Sequence, residues 1–208
     1  MNERLAAALA AIDAANRDDP NTVELDGAPW SLAHAQGALA TDWVLFLDPD
    51  ASDAQLLAAS AHHLRRWESP RTDYPDGRAG YLRWRTAAKR RHADDVAELL
   101  AATGYGADAI ARVQQIIRKE GLGADPDVQV HEDALCLAFL QTQLDAVAAS
   151  VGADKMVDIL ARTVAKMSPA GLAAATTLPL SDEGTALLQR ALAAPARRRS
   201  AGDEPPTG

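Results

Sequence analysis

Thiol chemistry is almost absent from this chain: of 208 residues only Cys136 is a cysteine. A lone cysteine closes no internal disulfide, which fits a reducing compartment, so a cytoplasmic location is expected. Aromatic residues are scarce at 4%, and alanine and leucine dominate, a composition that favours helix. No run of about 18 apolar residues occurs, so no membrane-spanning helix is expected. The first residues, MNERLAAALAAIDAANRDD, are interrupted by Glu3 and Asp13 and lack the basic start and unbroken apolar centre of a signal peptide. There is no phosphate loop, glycine-rich dinucleotide turn, Gly-x-Ser-x-Gly elbow or Cys-x-x-Cys pair. Nucleophilic serine or cysteine catalysis is therefore disfavoured, and no organic cofactor is expected. A net charge of −8 also argues against general attraction to nucleic acid, while leaving room for a local contact.

Alternating β-branched stretches are missing as well, which leaves helix as the organising element. Helical spacing marks residues 3–17, with Leu5, Leu9 and Ile12 on one side. DDPN at 18–21 stops that helix, and TVELDGAPW reads as a short extended piece or loop. Ser31 caps a helix over 32–47 with apolar residues on two faces. Ser52 and Gln55 form a capping box for a helix over 53–67. ESPRTDYPDG is a loop, followed by a long helix over 78–103. Further helices are expected over 107–119, 127–149 and 153–166, then a short one after Ser168-Pro169 and a last one over 182–194 capped by Ser181. The sequence thus predicts an all-α single domain of seven to nine helices over 1–194, with a disordered tail over 195–208.

Charge is distributed unevenly. From His63 to His92 nine basic residues meet three acidic ones, whereas the remainder carries 12 basic and 26 acidic residues. Extended by one residue to His62, the stretch holds three of the five histidines. Arg78, Arg85, Lys89 and His92 fall within about 60° of one another on the long helix, and Arg65, Arg66 and Arg71 flank the proline-fixed loop. Guanidinium forks match phosphate oxygens bidentately and a lysine adds a point charge. Arg66, Arg71, Arg78, Arg85 and Lys89 are therefore candidate phosphate ligands. The competing reading is a solvated charged face or an internal ion-pair network. Tyr74, Tyr81 and Trp84 either stack on a base or pack in the core.

His34, His62 or His63, His92 and Asp133 lie on four different helices, on faces expected to be buried. Imidazole and carboxylate together suit Mn, Fe, Co, Ni or Zn. Asp133 shares a face with Leu137, Leu140 and Leu144, and a buried carboxylate needs a cation or donors. Each residue has a plainer alternative: His34 as a packed core histidine, Asp133 as a structural salt-bridge partner. His131 lies on another face from Asp133 and reads as solvated surface; Cys136 reads as core.

In order, His34, the doublet in AASAHHLRRW, His92 in HADDVAELL and Asp133 in EDALCL resemble the HD-domain superfamily of metal-dependent phosphohydrolases over about residues 31–150. The resemblance implies one divalent ion on His34, His63 and Asp133, with His63 and His92 catalytic. The doublet reads His-His where that family has His-Asp, and Lys119 stands where many members place a further histidine. A second resemblance covers nearly the whole chain. RW-x-x-PR-x-x-YP, GY-x-x-WR and EDA-x-CL-x-FL resemble, in order, the uncharacterised family called domain of unknown function 4202, found in bacteria and fungi. The expected activity is hydrolysis of a phosphorylated small molecule or nucleotide. The alternatives are a non-catalytic phosphate-, nucleotide- or RNA-binding module, or a protein with only a structural or partner-binding role.

Overall fold

The computed structural model describes residues 2–25 and 27–194; the expected disordered tail, 195–208, lies outside the described residues. Helix α1 (Glu3–Asn16) is capped by the Asn2 side chain, which accepts from the Leu5 amide at 2.8 Å. A hairpin of β1 (Thr22–Leu25) and β2 (Ala28–Ser31) follows, in antiparallel register from Thr22 opposite Ser31 to Leu25 opposite Ala28. Gly27, at φ +75°, supplies the left-handed residue that so short a connection needs. The remaining elements are α2 (Leu32–Leu47), α3 (Asp53–Ala61), α4 (Gly77–Ala102), α5 (Ala107–Arg118), α6 (Pro126–Thr142), α7 (Leu144–Val151), α8 (Ala153–Val164), α9 (Pro169–Ala175) and α10 (Asp182–Ala193). Apart from the hairpin, the described residues form the single all-α domain that the sequence predicts.

Ten α-helices are described rather than seven to nine, because the segment expected to run unbroken over 127–149 is two helices. Gln143 leaves helical geometry at φ −129°, and α6 and α7 meet at 69°. The bend lets Leu144 and Ala148 join a core that a straight helix would overshoot.

Two apolar cores share α6. One gathers α1 to α5 around Ile12, Leu57, Leu100 and Ile116, and takes Val128, Ala134 and Ala138 from α6. The other gathers α7 to α10 around Met156, Ile159 and Leu160, and takes Cys136, Leu137 and Leu140 from α6. A helix between two cores is buried on nearly every side, which the α6 burial pattern shows.

Helices α2 and α3 cross closely at Gly37, where a Cβ would stand 2.6 Å from the Ser60 carbonyl oxygen. Asn16 closes the same crossing, its amide donating to that oxygen at 3.0 Å. Helix α3 stops at Ala61 rather than continuing to 67. The chain turns through Arg65 at φ +51° into two short 3-10 turns, Arg66–Glu68 and Arg71–Asp73. The Arg71 guanidinium donates to the carbonyls of Tyr74 (2.8 Å) and Pro75 (2.9 Å), and Trp84 Nε1 donates to the Ser69 carbonyl at 2.9 Å. These bonds hold the loop against the first half of α4.

Candidate anion-binding pocket

A cavity of about 140 Å³ lies where α6 faces the end of α3, the middle of α4 and the end of α8. Five cationic side chains line it: Arg66, Arg85, Lys89, Lys119 and Lys166. Glu132 is its one acidic residue among the described residues. The uncharged polar lining includes four imidazoles, His62, His63, His92 and His131, together with Gln36, Gln143 and Thr163. Trp84, Phe139, Leu135 and Ile117 supply apolar wall.

The doublet after α3 is fixed by hydrogen bonds that settle its tautomers. Arg66 can only donate, so its 2.7 Å bond to His63 Nε2 makes that nitrogen an acceptor. His63 Nδ1–H then donates to Gln36 Oε1 at 2.6 Å. Gln36 Nε2 donates to Thr142 Oγ1 at 3.3 Å, and Thr142 donates to the Ala138 carbonyl at 2.7 Å. The series runs one way, from the guanidinium to the backbone of α6. Both nitrogens of His63 are thereby used in holding Arg66 and Gln36, so it acts as a positioning residue for that guanidinium. The guanidinium also lies 5.1 Å from the Trp84 ring centre.

His62 Nδ1 and His92 Nδ1 donate to the carbonyls of Ala59 (2.7 Å) and Leu64 (2.8 Å). A carbonyl only accepts, so each ring keeps its lone pair on Nε2. Burial pushes His62 down to about 3, helped by the charges of Lys119 and Arg66, and His92 down to about 4, helped by Arg66 and Arg91. His63 and His131 also lie well below the ordinary histidine value, chiefly through burial. All four are neutral at pH 7. Burial lowers Arg66 to about 10, which leaves it cationic there.

Glu132 has 1% of its side chain exposed and sits between two ammonium groups. Lys166 Nζ lies 3.0 Å from Oε1, and Lys119 pairs with Oε2. Burial alone would raise this carboxyl, but the two lysines overcome it and hold the group well below the usual carboxylate range. Lys119 reaches it from a left-handed backbone, φ +58°, at the C-terminal cap of α5. Burial pushes the Cys136 thiol up to about 12, beside Glu132, so it is an inert core group as the sequence suggests.

His131 is fully buried, and neither ring nitrogen has a hydrogen-bond partner in the protein. An unpaired buried donor or acceptor costs about 1–3 kcal/mol. The expectation that His131 is solvated surface is corrected here. It does lie on a different face from Asp133, but α6 has a core or the cavity on nearly every face.

Of the residues singled out from the sequence, His63, His92, Arg66, Arg85 and Lys89 come together on the cavity. Arg71 and Arg78 do not line it: Arg71 is spent on loop carbonyls, and Arg78 is exposed at the start of α4. The expected metal trio of His34, His63 and Asp133 does not converge. His34 stands two residues from Gln36, on the opposite side of α2, packed on Trp30 with ring centres 4.9 Å apart. Asp133 turns toward α9, where its Oδ1 accepts from the Ser168 amide (2.9 Å) and Gln129 (3.0 Å), and its Oδ2 from the Ser168 hydroxyl (2.5 Å). Gly171 leaves room for it, since a Cβ there would meet Asp133 Cγ at 2.6 Å. Neither of the two alternatives fits, metal ligand or salt bridge: Asp133 docks a helix start. Among the described residues no group of three or more His, Cys, Asp or Glu is placed to hold a metal ion, so the donor set implied by the HD-domain resemblance does not fit this chain.

Sequence reasoning missed Gln36, Lys119, Glu132, His131 and Lys166 as cavity residues. His131, Leu135, Ala138 and Phe139 do carry helical spacing, but Lys119 and Lys166 follow the ends of α5 and α8 and have no pattern that marks them.

No curated protein and no solved structure matches the chain. The family model that does match covers residues 6–188, a span that includes every residue lining the cavity, and the chain belongs to that family, described as Domain of unknown function (DUF4202).

Proposed function

We propose that the cavity binds a phosphorylated small molecule. One observation carries this reading: five cationic side chains and a single carboxylate line one partly open pocket, in a chain whose net charge is −8. The carboxylate is already shared between Lys119 and Lys166, so the lining stays strongly positive with all four imidazoles neutral. Arg66, set by His63, presents a fork suited to phosphate oxygens, and Arg85 and Lys89 add charge from α4. Titration calorimetry in a phosphate-free buffer, with inorganic phosphate and simple phosphate esters as ligands, tests the reading. Binding should weaken at least tenfold in Arg66→Ala and in Lys89→Ala. Absence of binding to any of these ligands would overturn it.

A second reading, hydrolysis of the bound ester, has one observation in its favour. His62 and His92 each have Nδ1 tied to a backbone carbonyl, which orients the ring and leaves Nε2 as an acceptor nitrogen able to orient an attacking water. Phosphate release from a panel of esters, absent in His92→Gln, would establish it. Tight binding with no release on any ester leaves the binding role alone.

A further inference from the structure

His131 has no part in the phosphate reading. His131 comes from the middle of α6, is fully buried, lines the cavity, and has no protein partner at either ring nitrogen. A neutral imidazole offers one N–H donor and one lone pair. A phosphate dianion satisfies only the donor, because it has no hydrogen to give back. An ammonium group satisfies only the lone pair and would meet the charges of Lys119 and Lys166. Two hydroxyls of one polyol can do both, one donating to the lone pair and the other accepting from the N–H, and they stay uncharged beside the lysines.

Size narrows the choice. At about 140 Å³ the cavity is close to the roughly 150 Å³ of an engineered cavity that takes benzene. That is room within the walls for a ring-sized carbon skeleton; a sugar with a nucleobase would extend out through the open side. The indole wall offers little to a base, since Arg66 covers the Trp84 ring and Tyr81 flanks it at 6.0 Å between ring centres.

Resting on the phosphate reading, we infer that the occupant is a hydroxylated phosphate ester of about pentose size, with its phosphate on the arginines and lysines and a hydroxyl on His131. His131 then sets specificity for the organic part and is separate from the groups that supply affinity for the anion.

The test compares inorganic phosphate, butyl phosphate, ribose 5-phosphate and adenosine 5′-monophosphate by calorimetry on the whole chain and on His131→Phe. Ribose 5-phosphate should bind at least tenfold more tightly than butyl phosphate to the unaltered protein. His131→Phe should abolish that preference and leave the affinity for inorganic phosphate within about twofold. Imidazole nitrogen NMR on the unaltered protein gives a second readout that needs no variant to fold. The His131 resonances should move with ribose 5-phosphate and stay in place with butyl phosphate. Equal binding of the two esters, or unmoved His131 resonances, would overturn this inference and leave the phosphate reading standing. Tighter binding of the nucleotide than of the sugar phosphate would overturn the size assignment. Failure of all four ligands to bind would remove the phosphate reading itself.

Discussion

Lowering the pH from about 7.5 to about 5.5 protonates the histidines of the unfolded chain but not His62, His63, His92 or His131 of the folded one. These rings take up protons only in the unfolded state, because burial holds their folded values far below the ordinary 6.5. Their contribution is therefore complete above pH 6.5 and is lost progressively as the pH falls toward about 4 and 3. One pH unit below the ordinary value, each such imidazole has cost about 1.4 kcal/mol. Four of them cost about 5–6 kcal/mol, a large share of the roughly 5–15 kcal/mol typical of a folded domain. At about 2–4 °C per kcal/mol for a chain of this size, the melting temperature should fall by about 11–22 °C. Carboxylates with depressed values, Asp125 at about 2 and Glu132 lower still, lose their contribution only below the usual carboxylate range, outside this window. Asp42 and Asp95, which burial raises, act in the opposite sense. Urea unfolding followed by circular dichroism, in buffers free of phosphate and sulfate, measures the effect. In His92→Gln about a quarter of the pH dependence should disappear. A free energy that changes by less than about 1 kcal/mol across the window would show that these rings are solvated or paired, and would refute the reasoning.

Glu132→Gln removes the carboxylate between two half-buried ammonium groups and should destabilise the protein by about 1.5–3 kcal/mol. Chemical denaturation checks this, and adding Lys166→Met to the same chain should recover part of the loss. Asp133→Ala should cost about 1–3 kcal/mol by releasing the start of α9, with phosphate affinity unchanged; an affinity loss beyond about tenfold would return Asp133 to the binding site. Arg71→Ala frees the loop carbonyls and should lower stability by about 1 kcal/mol, yet weaken phosphate binding far less than Arg66→Ala. Cys136 should resist thiol reagents in the native state and react at once in denaturant, as read by absorbance.

Helix positions were legible from periodicity, caps and stops. Ser52 with Gln55 forms the expected capping box, and Ser168 and Ser181 cap their helices through the amides of Gly171 and Gly184. The break at Gln143 was not legible, because the apolar pattern of α6 continues into α7 and only tertiary packing bends it. The cationic stretch pointed to Arg66, Arg85, Lys89, His63 and His92 because they lie close in sequence or on one face of α4. Arg71 and Arg78 share that composition but not the direction: one folds back on its own loop, the other starts its helix in solvent. His34 and Asp133 show the limit of reading polarity from an apolar face. A ring stacked on Trp30 and a carboxylate holding Ser168 satisfy the same burial rule that a metal would.

Helix α6 belongs to both cores and also forms one wall of the cavity. A molecule lodged there touches α3 and α4 on one side and the end of α8 on the other, so it works as a splint across the seam between the two halves of the chain. Hydrogen exchange should accordingly slow in α8 as well as in α4 when the cavity fills, although the two helices belong to separate cores.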